Sequence, residues 1–462
     1  MILRKQGVVN EDMISKLSEA LLLQILSCLP IKVFIATSVL SKRWRTLWKL
    51  VPKLEFESTN HQKFSENVGR FLLSHKAPVL ESLHLKFFHN CRAIDIGLWA
   101  GIAFARNLRE FVLDHRLEAK IKFPSSLFSF NNTLVTLKLK NSVLVDVQSP
   151  VCMKSLRTLH LHCVDFGNNA SFRNIISGCP NLENLVMCRD YPKNDLTFFI
   201  VAPSLKRLSI KDYTGVVKSG GYTINAPSLQ YLRIRGISHS ERCFIENAPE
   251  LVEANISNVS PVINERFLIS LKSAKRLLLD LSPLEVMFPT GAIFYRLVYL
   301  EMYTHKLEWW NLLALMLDSS PKLQALKLID QSQKSDKDCV VGGKWNQPKD
   351  VPECLLSHLE TFVWTIYNWD REEEIEVATY ILRNARRLKN ATISTRPIQY
   401  KELSKLEERY KMLMELDGVV RASNSCHLDN TIEPVWDTYG RSVHPTCELG
   451  SLNRTDINNV NL

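Results

Sequence analysis

Three groups of side chains in this sequence have types and spacing that could do chemistry. His160-x-His162-Cys163 sets two imidazoles on one face of an extended chain beside a thiol, and these are zinc-ligand types. Two same-face imidazoles with no carboxylate near them in sequence are too few for a site, so no metal is expected. Glu372 to Glu374 is a carboxylate run that reads as an acid–base pair or as the solvated start of a helix, and the basic residues that follow favour the helix start. The third group is a set of cations at regular offsets: Lys138 and Lys140, His160 and His162, Arg207 and Lys211, Arg233 and Arg235. Arginine forks and ammonium groups suit phosphate and carboxylate. The sequence holds no glycine-rich phosphate loop, metalloprotease helix, nucleophile elbow or Cys/His array of a zinc-based ligase. It therefore reads as a binding protein, not an enzyme, with no cofactor.

The cations owe their regularity to a repeat. The pattern Leu-x-x-Leu-x-Leu returns at steps of mostly about 22 to 29 residues, the leucine-rich range. Clear copies start at Leu80, Leu134 and Leu156, and variants start at Leu108, Leu182, Leu205, Leu229, Leu251, Leu297 and Leu323. Pro180, Pro203, Pro227, Pro249 and Pro321 each stand two residues before a first leucine. One such strand cannot bury its apolar side alone, so stacking into a solenoid is required, with a parallel sheet on the concave side and helices or turns outside. The repeated leucines are core. The x positions face outward, which lines up the cations with the neutral Asn184 and Cys188 among them. That stripe reads as a seat for an acidic or phosphorylated segment or as a plain solvated face. Ala170–Ser177 and Leu307–Leu317 are expected convex helices.

At the N-terminal end, Leu17, Leu21, Leu22, Ile25, Leu26 and Leu29 recur at helical spacing, and Pro30 ends that helix. A short apolar piece, Ile31–Leu40, follows. Ser41 is then expected to cap a third helix carrying Trp44, Leu47 and Trp48. Helices this short cannot bury so many apolar groups among themselves. Either an outside partner covers them or they cap the following domain. Near the other end, a polar loop with Gly342-Gly343 marks a boundary, after which a strand, a helix capped by Asp370 and a further strand are expected. The buried side of that helix should be Ile375, Ala378, Ile381, Leu382 and Ala385. A last helix spans Leu403–Leu416, and from Thr431 the pattern lapses into an expected disordered tail.

Composition bounds the partners. At 462 residues and 45% hydrophobic content the chain has room for several globular domains, and 16 Gly and 19 Pro exclude a low-complexity chain. A formal net charge of +10 favours acidic partners. Without a basic run or interleaved aromatics, nucleic acid is not expected. The eleven cysteines contain no C-x-x-C pair, and the first twelve residues, MILRKQGVVNED, lack a signal's apolar core. The expected location is the cytoplasm or the nucleus. Gln24, Pro30 and Lys32 interrupt the longest apolar stretch, so no membrane span is expected.

ISKLSEALLLQILSCLP followed by ATSVLSKRWRTLWKLVPKLEF resembles the F-box as it occurs in the plant F-box/FBD/LRR-repeat family. Leu359, Trp364, Glu372–Glu374, Ala378, Ile381, Leu382, Asn384, Ala385, Leu388 and Ile393 are similar to matching positions of that family's FBD unit. Two places depart from the family pattern: Ser18 follows Leu17 where Pro is usual, and Ile31-Lys32-Val33 replaces a Thr-Lys-Asp stretch. Ser18 and Glu19 still suit a helix start. The resemblance implies an α/β architecture: a three-helix F-box (8–52), a leucine-rich-repeat solenoid (53–345) with a curved parallel sheet and convex helices or turns, an FBD unit (346–396) as cap, a C-terminal helix (397–430) and the tail (431–462). It also implies docking to a Skp-type adaptor, and through it a cullin, by Leu17, Leu21, Leu22, Ile25, Leu26, Leu29, Pro30, Val39, Leu40, Trp44 and Trp48 or their immediate support. A protein target, unidentified by sequence, would take the repeats. Competing expectations are an interaction scaffold outside any ligase and a small-molecule sensor.

Overall fold

The computed structural model describes residues 14, 16–58, 64–88, 91–117, 119–128, 133–189, 196–212, 220–237, 243–259, 265–281, 291–304, 309–330, 345, 347–367, 372–395, 406–432, 435–436 and 442–443. The chain divides into two compact units, residues 1–297 and 298–462.

The first unit opens with helices α1 (Glu19–Ser27), α2 (Ile31–Ala36) and α3 (Trp44–Leu47). Ser18 caps α1 by accepting from the Leu21 amide at 3.4 Å. Pro30 stands immediately before α2, where its missing N–H is harmless. The expected Ser41 cap is not formed: α3 starts later, after Arg43, and only the Ser41 carbonyl takes part, accepting from the Arg45 amide at 3.3 Å.

Ten parallel strands follow, one per repeat: β1 (Lys53–Glu57), β2 (Ser82–Phe87), β3 (Glu110–His115), β4 (Thr136–Val145), β5 (Thr158–Phe166), β6 (Asn184–Arg189), β7 (Arg207–Asp212), β8 (Tyr231–Arg235), β9 (Glu253–Ser257) and β10 (Arg276–Asp280). Each pairs with the next, so the repeat is a ladder. Register carries equivalent residues into rows: Leu83, Phe111, Leu137, Leu159, Leu185, Leu208, Leu232, Ala254 and Leu277 lie side by side, all buried. The prolines act in the turn before each strand. Leu182, Leu205, Leu229 and Leu251 donate to the carbonyls of Cys179, Ala202, Ala226 and Ala248, which puts proline second in a four-residue turn, where its fixed φ belongs.

Two strands escaped the sequence pattern. β1 lies outside the repeat series as read, and before β10 an alanine, Ala274, occupies the first leucine position. A second, three-stranded parallel sheet (Phe198–Val201, Tyr222–Asn225, Cys243–Asn247) was also not expected.

Behind the ladder pack α4 (Phe64–Ser74), α5 (Ala93–Phe104), α6 (Asn169–Ser177, the expected helix near Ala170) and α7 (Glu265–Ser270). Edge-to-face rings join the layers: Phe64 to Phe87 at 5.7 Å and Phe166 to Phe172 at 5.4 Å.

The second unit repeats the plan. Parallel strands β11 (Tyr299–Tyr303), β12 (Ala325–Ile329), β13 (Thr361–Tyr367), β14 (Asn390–Thr395) and β15 (His427–Ile432) pair in that order. Helices α8 (Trp309–Asp318), α9 (Glu353–Ser357), α10 (Glu372–Asn384) and α11 (Leu406–Asp417) accompany them. Trp309 meets Trp364 edge-on at 5.5 Å in the core. α10 buries Ala378, Ile381, Leu382 and Ala385 as expected, with Ile375 half-buried. Glu374 corrects the reading of a solvated carboxylate run, because it is fully buried near Tyr367. Asp370, Gly342-Gly343 and the starts of the helices expected at Leu307 and Leu403 lie outside the described residues. The region expected to be a tail contains the end of β15 and an antiparallel pair, Val435–Trp436 with Ser442–Val443; the rest of it lies outside the described residues.

Candidate functional site: an apolar helix face and a row of bases

The helical spacing of the N-terminal leucines covers about half a turn, and tertiary packing splits it. Leu22 and Leu26 point inward, while Leu21 and Ile25 are 48% and 45% exposed on the other edge of the stripe. In α2 Phe34 goes to the core and Val33 and Ile35 stay out; beyond it Val39 and Leu40 are 81% and 66% exposed. The expected set divides into surface and support: Leu22, Leu26 and Trp44 are buried and sit on the support side. Leu17, Leu29 and Trp48 are half-buried, Pro30 is exposed, and Trp48 packs on Phe71 of α4 at 4.9 Å. Leu29, Pro30, Phe34 and Trp48 line an open cleft toward β1. Periodicity alone did not single out Val33 and Ile35. A six-residue helix gives too few turns to tell its inward side, so only the fold shows that they complete an apolar surface with Leu21, Ile25, Val39 and Leu40.

Just after α4, His75 is buried and stacks on Phe71. One ring nitrogen, Nε2, donates to the Val51 carbonyl at 2.8 Å, and the Arg106 guanidinium reaches Nδ1 at 2.8 Å, which sets the neutral tautomer. Burial lowers the His75 pKa against the pull of the Val51 bond, and the Arg106 charge lowers it further.

On the ladder the expected stripe becomes three rows. Arg207 and Asn184 share the first row with Glu110 and Glu253. Lys138, His160 and Arg233 share the second, with Val186 and Ser209 between the latter two. Lys140, His162, Cys188, Lys211 and Arg235 form a consecutive third row, with Asp114 before Lys140. A continuous stripe is therefore corrected to one basic row plus outliers.

Within the second row the charge is spent locally. Lys138 donates to Glu110 at 2.8 Å, and His84 stands 3.8 Å from the same carboxyl. Burial pushes the Glu110 carboxyl up, but the bond and charge of Lys138, with His84, outweigh it and hold the carboxyl below its usual range. Burial, aided by Lys138 and Lys140, lowers the His160 pKa, so its imidazole is neutral near pH 7. In the third row, Asp114 takes bonds from Arg116 and Asn141. A cleft beside it is lined by Asp114, Arg116, Lys140, Asn141 and His162. The row can receive an anionic group.

Helices ahead of a parallel ladder of leucine repeats define a leucine-rich-repeat protein with an N-terminal helical module as the class. Residues 14–56 match the F-box domain, 96–253 match the LRR repeats of "FBD-associated F-box protein At5g56370", and 347–393 match the FBD. The Arabidopsis thaliana F-box/FBD/LRR-repeat protein At3g52680 is 57% identical over 441 residues, 94% of this chain and 96% of the relative. The similarly titled At4g00160 is 56% identical over 437 residues, covering 92% and 95%, and At3g51530 is 58% identical over 435 residues, covering 92% and 94%, both from the same plant. The chain belongs to the F-box/FBD/LRR-repeat protein family.

Proposed function

We propose that this protein is the substrate-recognition subunit of a Skp/cullin/F-box ubiquitin ligase, acting in the cytoplasm or nucleus. It would hold the adaptor with its N-terminal helices, reach the cullin through that adaptor, and take a protein target on the leucine-rich ladder. The observation that carries this is the exposed Leu21, Ile25, Val33, Ile35, Val39 and Leu40, which lie within the stretch that matches the F-box. Large aliphatic groups left in water are a standing cost of the isolated chain. Burying four of them gives a gross gain on the order of 5–10 kcal/mol, from which association costs are subtracted. The third-row bases would meet an acidic or phosphorylated segment of the target, and the ubiquitin chemistry belongs to the partners.

The test is co-purification with a Skp-type adaptor. Ile25→Asp with Val39→Asp is expected to abolish capture while the circular dichroism spectrum stays that of the unaltered chain. Undiminished capture by this folded double variant would sink the assignment of the face, and failure of the unaltered folded chain to hold any adaptor would favour a scaffold outside the ligase.

A further inference from the structure

We propose that His162, Cys163 and Cys188 form a site for a thiophilic d10 cation, Zn2+ in the first instance, on the open face of the ladder. One ring nitrogen of His162 and the Sγ atoms of Cys163 and Cys188 all lie within 4.8 Å of one another. The donors come from adjacent strands: His162 of β5 stands opposite Cys188 of β6 in register, and Cys163 follows His162 in the chain.

Regular strand geometry would defeat the arrangement, because consecutive side chains point to opposite faces and Cys163 would enter the core behind His162. The backbone departs from regularity at this point. Cys163 has φ +52°, and the β4–β5 register shifts between Lys140 and Val143, where Asn141 has φ +63°. Asparagine tolerates the left-handed region through its own side chain, whereas cysteine has no such preference, so its presence there costs on the order of 1 kcal/mol. This turn carries the thiol to the side of its neighbour's imidazole.

The donor set selects the cation. One nitrogen and two sulfurs are soft to borderline ligands, which suit Zn2+ and not Ca2+ or Mg2+. Zinc bonds of about 2.3 Å to sulfur and 2.0–2.1 Å to nitrogen, in a tetrahedron, require donor separations of roughly 3.3–3.8 Å. Contraction of about 1.5 Å at most, by side-chain rotation, achieves that from a spacing within 4.8 Å. Three protein donors leave the fourth position to water.

Lys140 is the register neighbour of His162, and Lys211 that of Cys188. Binding forms one nitrogen–metal and two sulfur–metal bonds and releases two protons to solvent, with no change of oxidation state. Two thiolates cancel the dication, so the occupied site adds no charge to the basic row.

The test uses the purified full-length chain, reduced with a non-chelating phosphine and stripped of metal. Titration with Co2+ is expected to reach one equivalent with a thiolate-to-cobalt charge-transfer band in the near ultraviolet, and Zn2+ should displace it. His162→Ala and Cys163→Ser, at the less buried positions, should each weaken binding by more than the roughly 10–100-fold that loss of a supporting residue costs. His160→Ala should bind as the unaltered chain does. Cys188→Ser is the secondary variant, because Cys188 is buried and its loss could disturb the fold. Absence of the charge-transfer band from the folded, reduced chain overturns the proposal, as does its persistence in folded Cys163→Ser or equal loss in His160→Ala.

Discussion

Single residues along this chain do work that their type alone does not announce. Leu21 and Leu22 are neighbours in one apolar run, yet one is exposed and the other is wholly buried. Leu22→Ala should cost about 2–5 kcal/mol in unfolding free energy, through lost transfer and a residual cavity. Leu21→Ala should stay within about 0.5 kcal/mol while weakening adaptor capture. Denaturant unfolding of the two variants checks this, and equal losses would show that the helix is rotated from the orientation described. Gly236 ends β8 with φ +82°, and a Cβ there would lie 2.2 Å from the Asp212 carbonyl oxygen. Backbone from the neighbouring repeat cannot yield as a flexible side chain could. Gly236→Ala should therefore lower stability by about 1–3 kcal/mol, read as a shift in denaturation midpoint at unchanged slope.

Elements are tied together by a few buried polar clasps. At the C-terminal ends of β6 and β7, Asp212 accepts from Tyr222 at 2.7 Å and from Arg189 at 3.2 Å, and the Arg189 guanidinium lies over Phe198 at 4.9 Å. The clasp joins the main ladder to the outer three-stranded sheet. Arg189→Ala strands a buried carboxylate and should cost about 3–5 kcal/mol, whereas Arg189→Ala with Asp212→Ala should cost less than the sum of the two singles. The His75 clasp predicts a pH dependence. Its folded pKa lies below the unfolded value of about 6.5, so the unfolded state binds more protons on acidification; stability is complete above that pH and falls as the pH drops below it. His84, His115 and His160, also shifted downward with burial as the leading cause, add in the same direction. The thermal midpoint should decline between about pH 7 and about pH 5.5, and His75→Gln should flatten part of that decline.

For the molecule as a whole, the two faces should be separable. Lys140→Glu with Lys211→Glu and Arg235→Glu is expected to leave adaptor capture intact while reducing the proteins co-precipitated when the proteasome is blocked. Target capture through this row should also weaken as salt rises past about 0.15 M, since screening acts on exposed charges and not on the aliphatic F-box face. Loss of adaptor capture in this triple variant would show that the bases serve the fold or the adaptor and not the target.

The sequence by itself determined the ladder. Leucines at positions one, four and six of each repeat, with proline in the preceding turn, leave only stacked parallel strands as a way to bury them, and the expected rows follow from the period of two. The repeat at β10 was missed where the signal was absent, at Ala274, where a small residue fills the leucine's place, whereas β1 carries the pattern in variant form as Val51, Leu54 and Phe56. Tertiary structure alone decided which side of α1 met the first repeat, because a stripe about half a turn wide is compatible with several rotations until Trp44, Phe34 and Phe71 choose one. It alone decided that Glu374 is buried, because the packing of α10 is not set by its carboxylates. Motif position already set Cys188 beside His162, both seventh in their repeats, and only the structure showed that Cys163, left-handed at φ +52°, reaches their face.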